Sequence, residues 1–245
     1  MGQPDARIRR HRGRCRRSRH RSGTARLKAR MSGRPHLRPR NAASLLLADL
    51  SDGAPAFLMG ERSGGHVFMA HNRVFPGGRV EKADSHLPVP PVVPDADMAW
   101  LRNELGTGAS DSRATAFAAC AMRETGEETG LVLESRALLT PLRYIARAIT
   151  PPGQVRRYDT RFFLAVVDRG QVRFEGTDGE LSAIGWYRAD TDHGERLHAI
   201  TAEVMRIATA RLADDPPLAT DPPVPCYRVR NGRRIIEYPA TGWFP

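Results

Sequence analysis

The sequence predicts an α+β layered domain, on three observations. Short apolar runs broken by tight-turn signals read as paired strands, two longer segments repeat their apolar residues at helical spacing, and a hydrophobic content of 40% with 3 Trp, 8 Phe and 5 Tyr is enough to fill a core. At 245 residues, the chain is read as one compact domain carrying a tail and an insertion.

Taken in order, the apolar runs Ala42 to Leu50 (AASLLLADL) and Ala54 to Met59 (APAFLM) flank Ser51-Asp52-Gly53, which predicts strand, tight turn and strand. Arg73 to Phe75 is a brief extended piece that stops at Pro76-Gly77-Gly78, where glycines admit backbone paths other residues resist. Between Ser85 and Asp97, Pro88, Pro90, Pro91 and Pro94 argue against a helix or an interior strand and predict a stiff, exposed connector. A short helix is expected around Met98 to Leu105, and the cluster GTGASDS can cap a longer one from about Arg113 to Thr129, with Gly130 just past its end. Tyr144 to Ile149 and Arg157 to Val167 read as paired strands, and Ile184 to Tyr187 as another. His198 to Leu212 places Ile200, Val204, Ile207 and Ala208 on one face of an amphipathic helix. Cys226 to Arg230 and Arg233 to Tyr238 flank Asn231-Gly232, a two-residue hairpin signal.

Charge is distributed unevenly. The net charge is +11, yet residues 1–40 hold 14 Arg and Lys28 against Asp5, a surplus of +14 that leaves −3 for residues 41–245. The basic segment has few apolar residues and no periodicity, which predicts a disordered Arg-rich tail over residues 1–40. Its composition also admits a nucleic-acid arm, an organellar transit peptide, or an upstream stretch preceding a true start at Met31. A nucleic-acid partner is not expected of the slightly acidic body. Cys15, Cys120 and Cys226 are odd in number and lack a second ligand at zinc spacing, which predicts neither disulfides nor a zinc site and fits a reducing cytoplasm. No apolar run reaches the length of a membrane span, so no membrane partner is expected, and nothing settles whether the chain is a monomer or a homodimer.

On the helix at 113–129, Arg123, Glu124, Glu127 and Glu128 share one face, while Ala114, Ala118, Ala121 and Thr125 form an opposite face of small residues. Like charges at these spacings destabilise a bare helix by about 0.2–0.5 kcal/mol per pair, an imbalance that a bound cation would offset. Mg²⁺, or Mn²⁺, prefers hard oxygen ligands shared with a substrate's phosphates, which matches this cluster. Taken alone, the four residues equally describe a solvated face with Arg123 and Glu127 paired at i, i+4.

The run RETGEETGL from Arg123 to Leu131 resembles the second half of the Nudix box, with Thr125 where an aliphatic residue is usual. VFPGGRVEKAD from Val74 to Asp84 is similar to the first half, with Gly78 as its glycine and Asp84 in place of a Glu. Thirty-eight residues separate Asp84 from Arg123. This split box resembles the branch of the Nudix hydrolases that includes the peroxisomal coenzyme A diphosphatase and its bacterial relatives. ERSGGHVFMAHNRVFPGG, AITPPGQVRRYDTRFFLAV, Trp100 and YRVRNGRR share that resemblance, which covers residues 41–245.

The resemblance implies an α/β/α sandwich with a mixed sheet, a Pro-rich insertion at 85–112 inside the box, and hydrolysis of a nucleoside diphosphate linked to another moiety, with coenzyme A or its thioesters as leading candidates. It implies Glu127 and Glu128 as metal ligands, Glu124 as ligand or general base, Arg123 as the group orienting a glutamate, and Gly77-Gly78 as the loop bringing a backbone carbonyl to the metal. Glu180 is either a further ligand from a distant loop or an acidic turn residue. Arg62 and Arg73, ahead of Arg147 and Arg157, are candidates to grip phosphates. His66 and His71 beside the glycine loop read as surface histidines. A non-catalytic nucleotide-sensing module on the same fold is the alternative to an enzyme.

Overall fold

In the computed structural model of the chain, residues 37–62, 72–87, 93–133 and 135–238 are described. The expectations for the basic tail, for His66 and His71 and for Pro88, Pro90 and Pro91 therefore lie outside the described residues, although Arg40 already belongs to the first strand.

The run AASLLLADL falls in β1 (Arg40–Asp49), and the place of β1 in the sheet explains its composition. Ala43, Leu45 and Leu47 point into one core cluster and Leu46 and Ala48 into a second, so both faces of the strand are covered and no polar alternation is called for. β2 (Ala56–Arg62) returns antiparallel through the turn at 51–53, and β3 (Arg73–Val74) pairs with β2. β4 (Gly77–Arg79) pairs antiparallel with the start of β1, where the glycines were expected to form only a loop. β6 (Arg143–Ile149) and β7 (Tyr158–Val166) are antiparallel neighbours.

The sheet is mixed, as the resemblance implies. β7 runs parallel to β1 over nine registered pairs, from Arg40–Tyr158 to Ala48–Val166, and β10 (Cys226–Arg230) runs parallel to β6. Periodicity reports which side chains are buried and carries no strand direction, which is why the parallel pairs escape a reading of local pattern. β11 (Arg233–Glu237) completes the predicted hairpin, with Asn231 and Gly232 both at positive φ as such a tight turn requires. β9 (Leu181–Arg188) pairs with the outer side of β2. A separate small ladder joins β5 (Leu131–Val132) to β8 (Arg173–Phe174); both are two-residue strands too short to leave a pattern.

Among the described residues there are three α-helices. α1 (Asp95–Leu105) starts three residues earlier than expected, because Pro94 stands at its N-cap, where a missing amide hydrogen costs nothing. α2 (Asp111–Thr129) starts after Ser110, whose hydroxyl accepts from the Arg113 amide, and ends at Gly130, whose φ of 69° terminates the helix. α3 is Ala199–Asp214. α1 and α2 cover one face of the sheet through Met98, Trp100, Leu101, Ala114, Phe117, Ala118 and Ala121, and α3 covers the other through Val204, Met205, Ala208 and Leu212. The result is an α/β/α sandwich. No helix among the described residues is long and apolar enough to cross a membrane.

A buried charge network fixes α1 to the sheet. Arg143 of β6 donates to Asp97 at 2.8 Å, to the Leu218 carbonyl at 2.7 Å and to Asp221, while Asp97 also accepts from the Tyr144 amide. At the other end of α1, Glu104 faces Arg147 and Arg161 and accepts from the Tyr144 hydroxyl at 2.8 Å. Burial raises the carboxyls of Asp97 and Glu104, and the arginines hold back part of that rise. Removing one partner from such a pair leaves an uncompensated charge in the interior. Arg143→Ala is therefore expected to destabilise the chain by about 3–5 kcal/mol in urea unfolding. The double variant with Asp97→Ala should cost less than the sum of the two single changes; strict additivity would show that the pair does not interact.

Candidate active site

α2 lies against the segment from Gly77 to Asp84 along a seam that runs in one direction. The Gly77 amide donates to Glu128 Oε2 at 2.7 Å. A Cβ on Gly78 would come within 2.4 Å of the Glu124 carboxyl, so the missing side chain is what lets strand and helix approach. Arg123, next to Glu124, donates to the Arg79 carbonyl, and one turn back along the helix Cys120, buried, lies 3.7 Å from the Gly78 carbonyl. Gly77 is constrained by the sheet instead, since its Cβ would meet the Ala43 carbonyl at 2.4 Å and Ser44 Cα at 2.6 Å.

Arg123 is the hub. Its Nε lies 2.8 Å from Asp84 Oδ1 and its Nη2 lies 3.3 Å from Oδ2, a fork-to-carboxylate grip. The same guanidinium reaches Glu127 at 2.7 Å and Glu124 at 2.9 Å. The hydrogen bond that Arg123 donates to Asp84 raises the affinity of the guanidinium for its proton, so the group stays charged. Asp84 is 1% exposed, and its second oxygen also accepts the Glu81 amide at 2.7 Å. Both oxygens of Asp84 are thus engaged inside the protein, and its role is to hold Arg123. Nothing local in the sequence marks that pairing, because the partners stand 39 positions apart.

The floor of the helix face is set by side chains that tolerate burial. Ala114, Ala118 and Ala121 are buried as expected, and so is Thr125, whose hydroxyl donates to the Ala121 carbonyl at 2.7 Å. A threonine can therefore stand where an aliphatic residue is usual.

A second segment is stitched to the end of α2. The Glu175 amide donates to the Gly130 carbonyl at 2.6 Å, the Asp178 amide donates to the Glu127 carbonyl at 2.9 Å, and β5 pairs with β8. These contacts bring the 173–180 loop to the acidic face, and the charge of Glu180 is felt at both Glu124 and Glu128. Arg62 pairs in register with Leu181, beside Glu180, and its charge also reaches Glu128. The Arg62 Nε is buried without a hydrogen-bond partner.

The remaining arginines have structural work. Arg73 is 8% exposed, lies over the Tyr187 ring at 3.7 Å, and meets Glu61 at 3.2 Å and His193 at 3.0 Å. Arg147 forks onto Asp159, and Arg157 caps the Thr150 and Leu37 carbonyls.

Three glutamates of one helix face, Glu180 and the Gly77-Gly78 turn thus converge, with Arg123 and Arg62 as the nearby cations. Among the described residues no three side chains stand at ligating distance of one point, since Arg123 draws Glu124 and Glu127 toward itself while the Gly77 amide holds Glu128. The donor set nevertheless fits a hard divalent cation, being all carboxylate oxygen with an excess of negative charge and one nearly buried member, Glu128, at 1% exposure.

No protein-family model matches the chain, and no curated protein does. Among solved structures, a Nudix hydrolase from Alicyclobacillus acidocaldarius matches at 26% identity and a TM-score of 0.52, over 72% of this chain and 93% of that one. A MutT Nudix hydrolase from Burkholderia pseudomallei matches at 20% identity and a TM-score of 0.41, over 71% and 100% of the two chains. The Nudix domain of Shewanella oneidensis NrtR, solved with ADP-ribose, matches at 14% identity and a TM-score of 0.46, over 78% and 99%. The mixed sheet between helical layers is a Nudix-type fold.

Burial pushes the Glu128 carboxyl from its ordinary 4.5 up to about 8, and burial raises Glu124 as well. The folded chain therefore binds the Glu128 proton more tightly than the unfolded chain, so the stability this group contributes is present at low pH and is lost as pH rises through about 8. In EDTA, Glu128→Gln is expected to raise Tm by several degrees at pH 9 and to change it little at pH 4.5, where the carboxyl still keeps much of its proton in both states. Equal shifts at both pH values in differential scanning calorimetry would contradict this.

Proposed function

We propose that the chain is a Nudix-type hydrolase dependent on Mg²⁺ or Mn²⁺, cleaving the diphosphate bond of a nucleoside diphosphate linked to another moiety. Coenzyme A or its thioesters lead the substrate candidates, on the resemblance of the split motif and its flanks. The observation that carries the reading is that two sequence segments 38 residues apart meet across one seam, glycine turn to glutamate helix, with Arg123 held by Asp84.

Glu127, Glu128, Glu124 and Glu180, with the Gly77 backbone, would hold the ion. When bound, such an ion polarises a phosphoryl oxygen and lowers the pKa of water at neutral pH. Arg123 keeps Glu124 and Glu127 on the open face of the helix, and its own position is set by Asp84. Glu124, pressed against Gly78, is placed to accept a proton from attacking water. Arg62, with an unpartnered Nε beside Glu180, is the cation suited to a substrate phosphate. Arg73, committed to Glu61, His193 and Tyr187, shapes the strand that carries the glycine turn. The buried free thiols Cys120 and Cys226 are in keeping with a reducing cytoplasm.

The test is a panel of diphosphate substrates, including coenzyme A, NADH and ADP-ribose, assayed with Mg²⁺. Glu127→Gln is expected to lower kcat on the order of a hundredfold or more. Binding of ADP-ribose without cleavage of any compound would instead assign the chain to nucleotide sensing. The two glycines should separate: Gly78→Ala meets only the flexible end of Glu124 and should cut turnover with little change in Tm, whereas Gly77→Ala meets backbone and should lower Tm. Full activity in Gly78→Ala would show that the position of Glu124 does not matter.

A further inference from the structure

The seam that ends in the glutamates has another end. As the chain runs from Gly77 to Lys82, its contacts move back along α2 from Glu128 to Glu124 to Arg123, and beyond Arg123 the two elements part to leave a cleft of about 190 Å³. Its lining includes Val80, Leu105, Ala116 and Phe117 as an apolar floor, and Lys82 and Arg113 as cations. Asn41, Ser85 and Glu81 add polar groups at the same cleft. None of these residues belongs to the acidic face described above.

We propose that this cleft binds an organic phosphate, meaning a phosphate group carried on a ring-sized apolar group. Three features converge on that ligand. First, Lys82 and Arg113 are exposed, and among the described residues neither forms an ion pair, so two cations face one acid, Glu81, with charge to spare. Second, Arg113 occupies the first turn of a 19-residue helix, where the macrodipole disfavours a cation. The acid that would compensate it, Asp111, is paired with Arg102 instead. A bound anion between Lys82 and Arg113 removes that disadvantage. Third, Val80 and Leu105 at the cleft are only partly buried, so they offer apolar surface that a bare inorganic ion would leave unused.

Size sets the rest of the specificity. The cleft is smaller than the ~300 Å³ at which whole-ligand pockets begin, so it accepts a fragment and not a complete dinucleotide. Ala116 and Glu124 are eight residues apart, about 12 Å along the helix at 1.5 Å per residue. A substrate whose diphosphate lies at the glutamates could place a second phosphate in the cleft, and this link to turnover rests on the hydrolase reading. Binding at the cleft does not.

The experiment is isothermal titration of the full chain with phenyl phosphate in EDTA, so that no metal draws the phosphate to the carboxylates, alongside inorganic phosphate and phenol. Phenyl phosphate is expected to bind more tightly than either, and the double variant Lys82→Gln with Arg113→Gln is expected to weaken it about tenfold with Tm unchanged. Arg156→Gln, which removes one exposed charge elsewhere, should bind as the wild type does. The proposal is overturned if the double variant binds phenyl phosphate as well as the wild type, if Arg156→Gln loses as much, or if inorganic phosphate binds equally well. Failure of every diphosphate substrate to be cleaved leaves this binding result standing, so the two readings fail separately.

Discussion

Arg123 and Asp84 form the contact on which the arrangement turns. Asp84 is almost entirely enclosed, and its two oxygens are shared between the Arg123 fork and the Glu81 amide, so the short turn that carries Asp84 cannot leave the helix without stranding a charge. Arg123 in turn reaches Glu124 and Glu127. Through one guanidinium, the segment that ends in Asp84 is tied to the helix that carries the acids, and the intervening residues are free to do something else. An aspartate, one methylene shorter than a glutamate, serves here because Asp84 touches arginine and backbone.

The intervening residues are not loose chain. α1 packs Met98, Trp100 and Leu101 into the same core cluster as α2, and two of its three acids, Asp97 and Glu104, are paired with arginines from β6 and β7. Asp159 belongs to this network too; burial alone would raise its carboxyl, but the hydrogen bond from Arg147 and the charge of Arg161 bring it below the ordinary range. The network explains why Arg147, which the sequence offers as a phosphate-binding candidate, is unavailable for that purpose. It also gives the insertion a fixed place from which Leu105 and Arg113 can border the cleft beside the glycine segment.

The acidic face carries more negative charge than the neighbouring cations Arg123 and Arg62 balance. Glu128 has its hydrogen bond from Gly77 but little solvent, and the charges of Glu124 and Glu180 push in the same unfavourable direction. Such a cluster costs stability that a purely structural surface would not carry, and the natural offset is positive charge from outside the chain. The stitching of residues 175 and 178 to the helix end brings Glu180, itself exposed, within electrostatic reach of Glu124 and Glu128.

Much of this was legible in the sequence. The spacing of Arg123, Glu124, Glu127 and Glu128 on one face, the alanines opposite, the capping of α2 by Ser110 and Gly130, the terminal hairpin at Asn231-Gly232 and the strand over AASLLLADL all follow from local chemistry. Contacts between distant positions leave no such local signal. The parallel pairing of β1 with β7, the grip of Asp84 on Arg123, the arrival of Glu180 and Arg62 beside Glu128, and the commitment of Arg73 to Tyr187 and Glu61 were decided only by the tertiary structure. Local propensity determines what each segment is, and only burial of many segments together determines which of them meet.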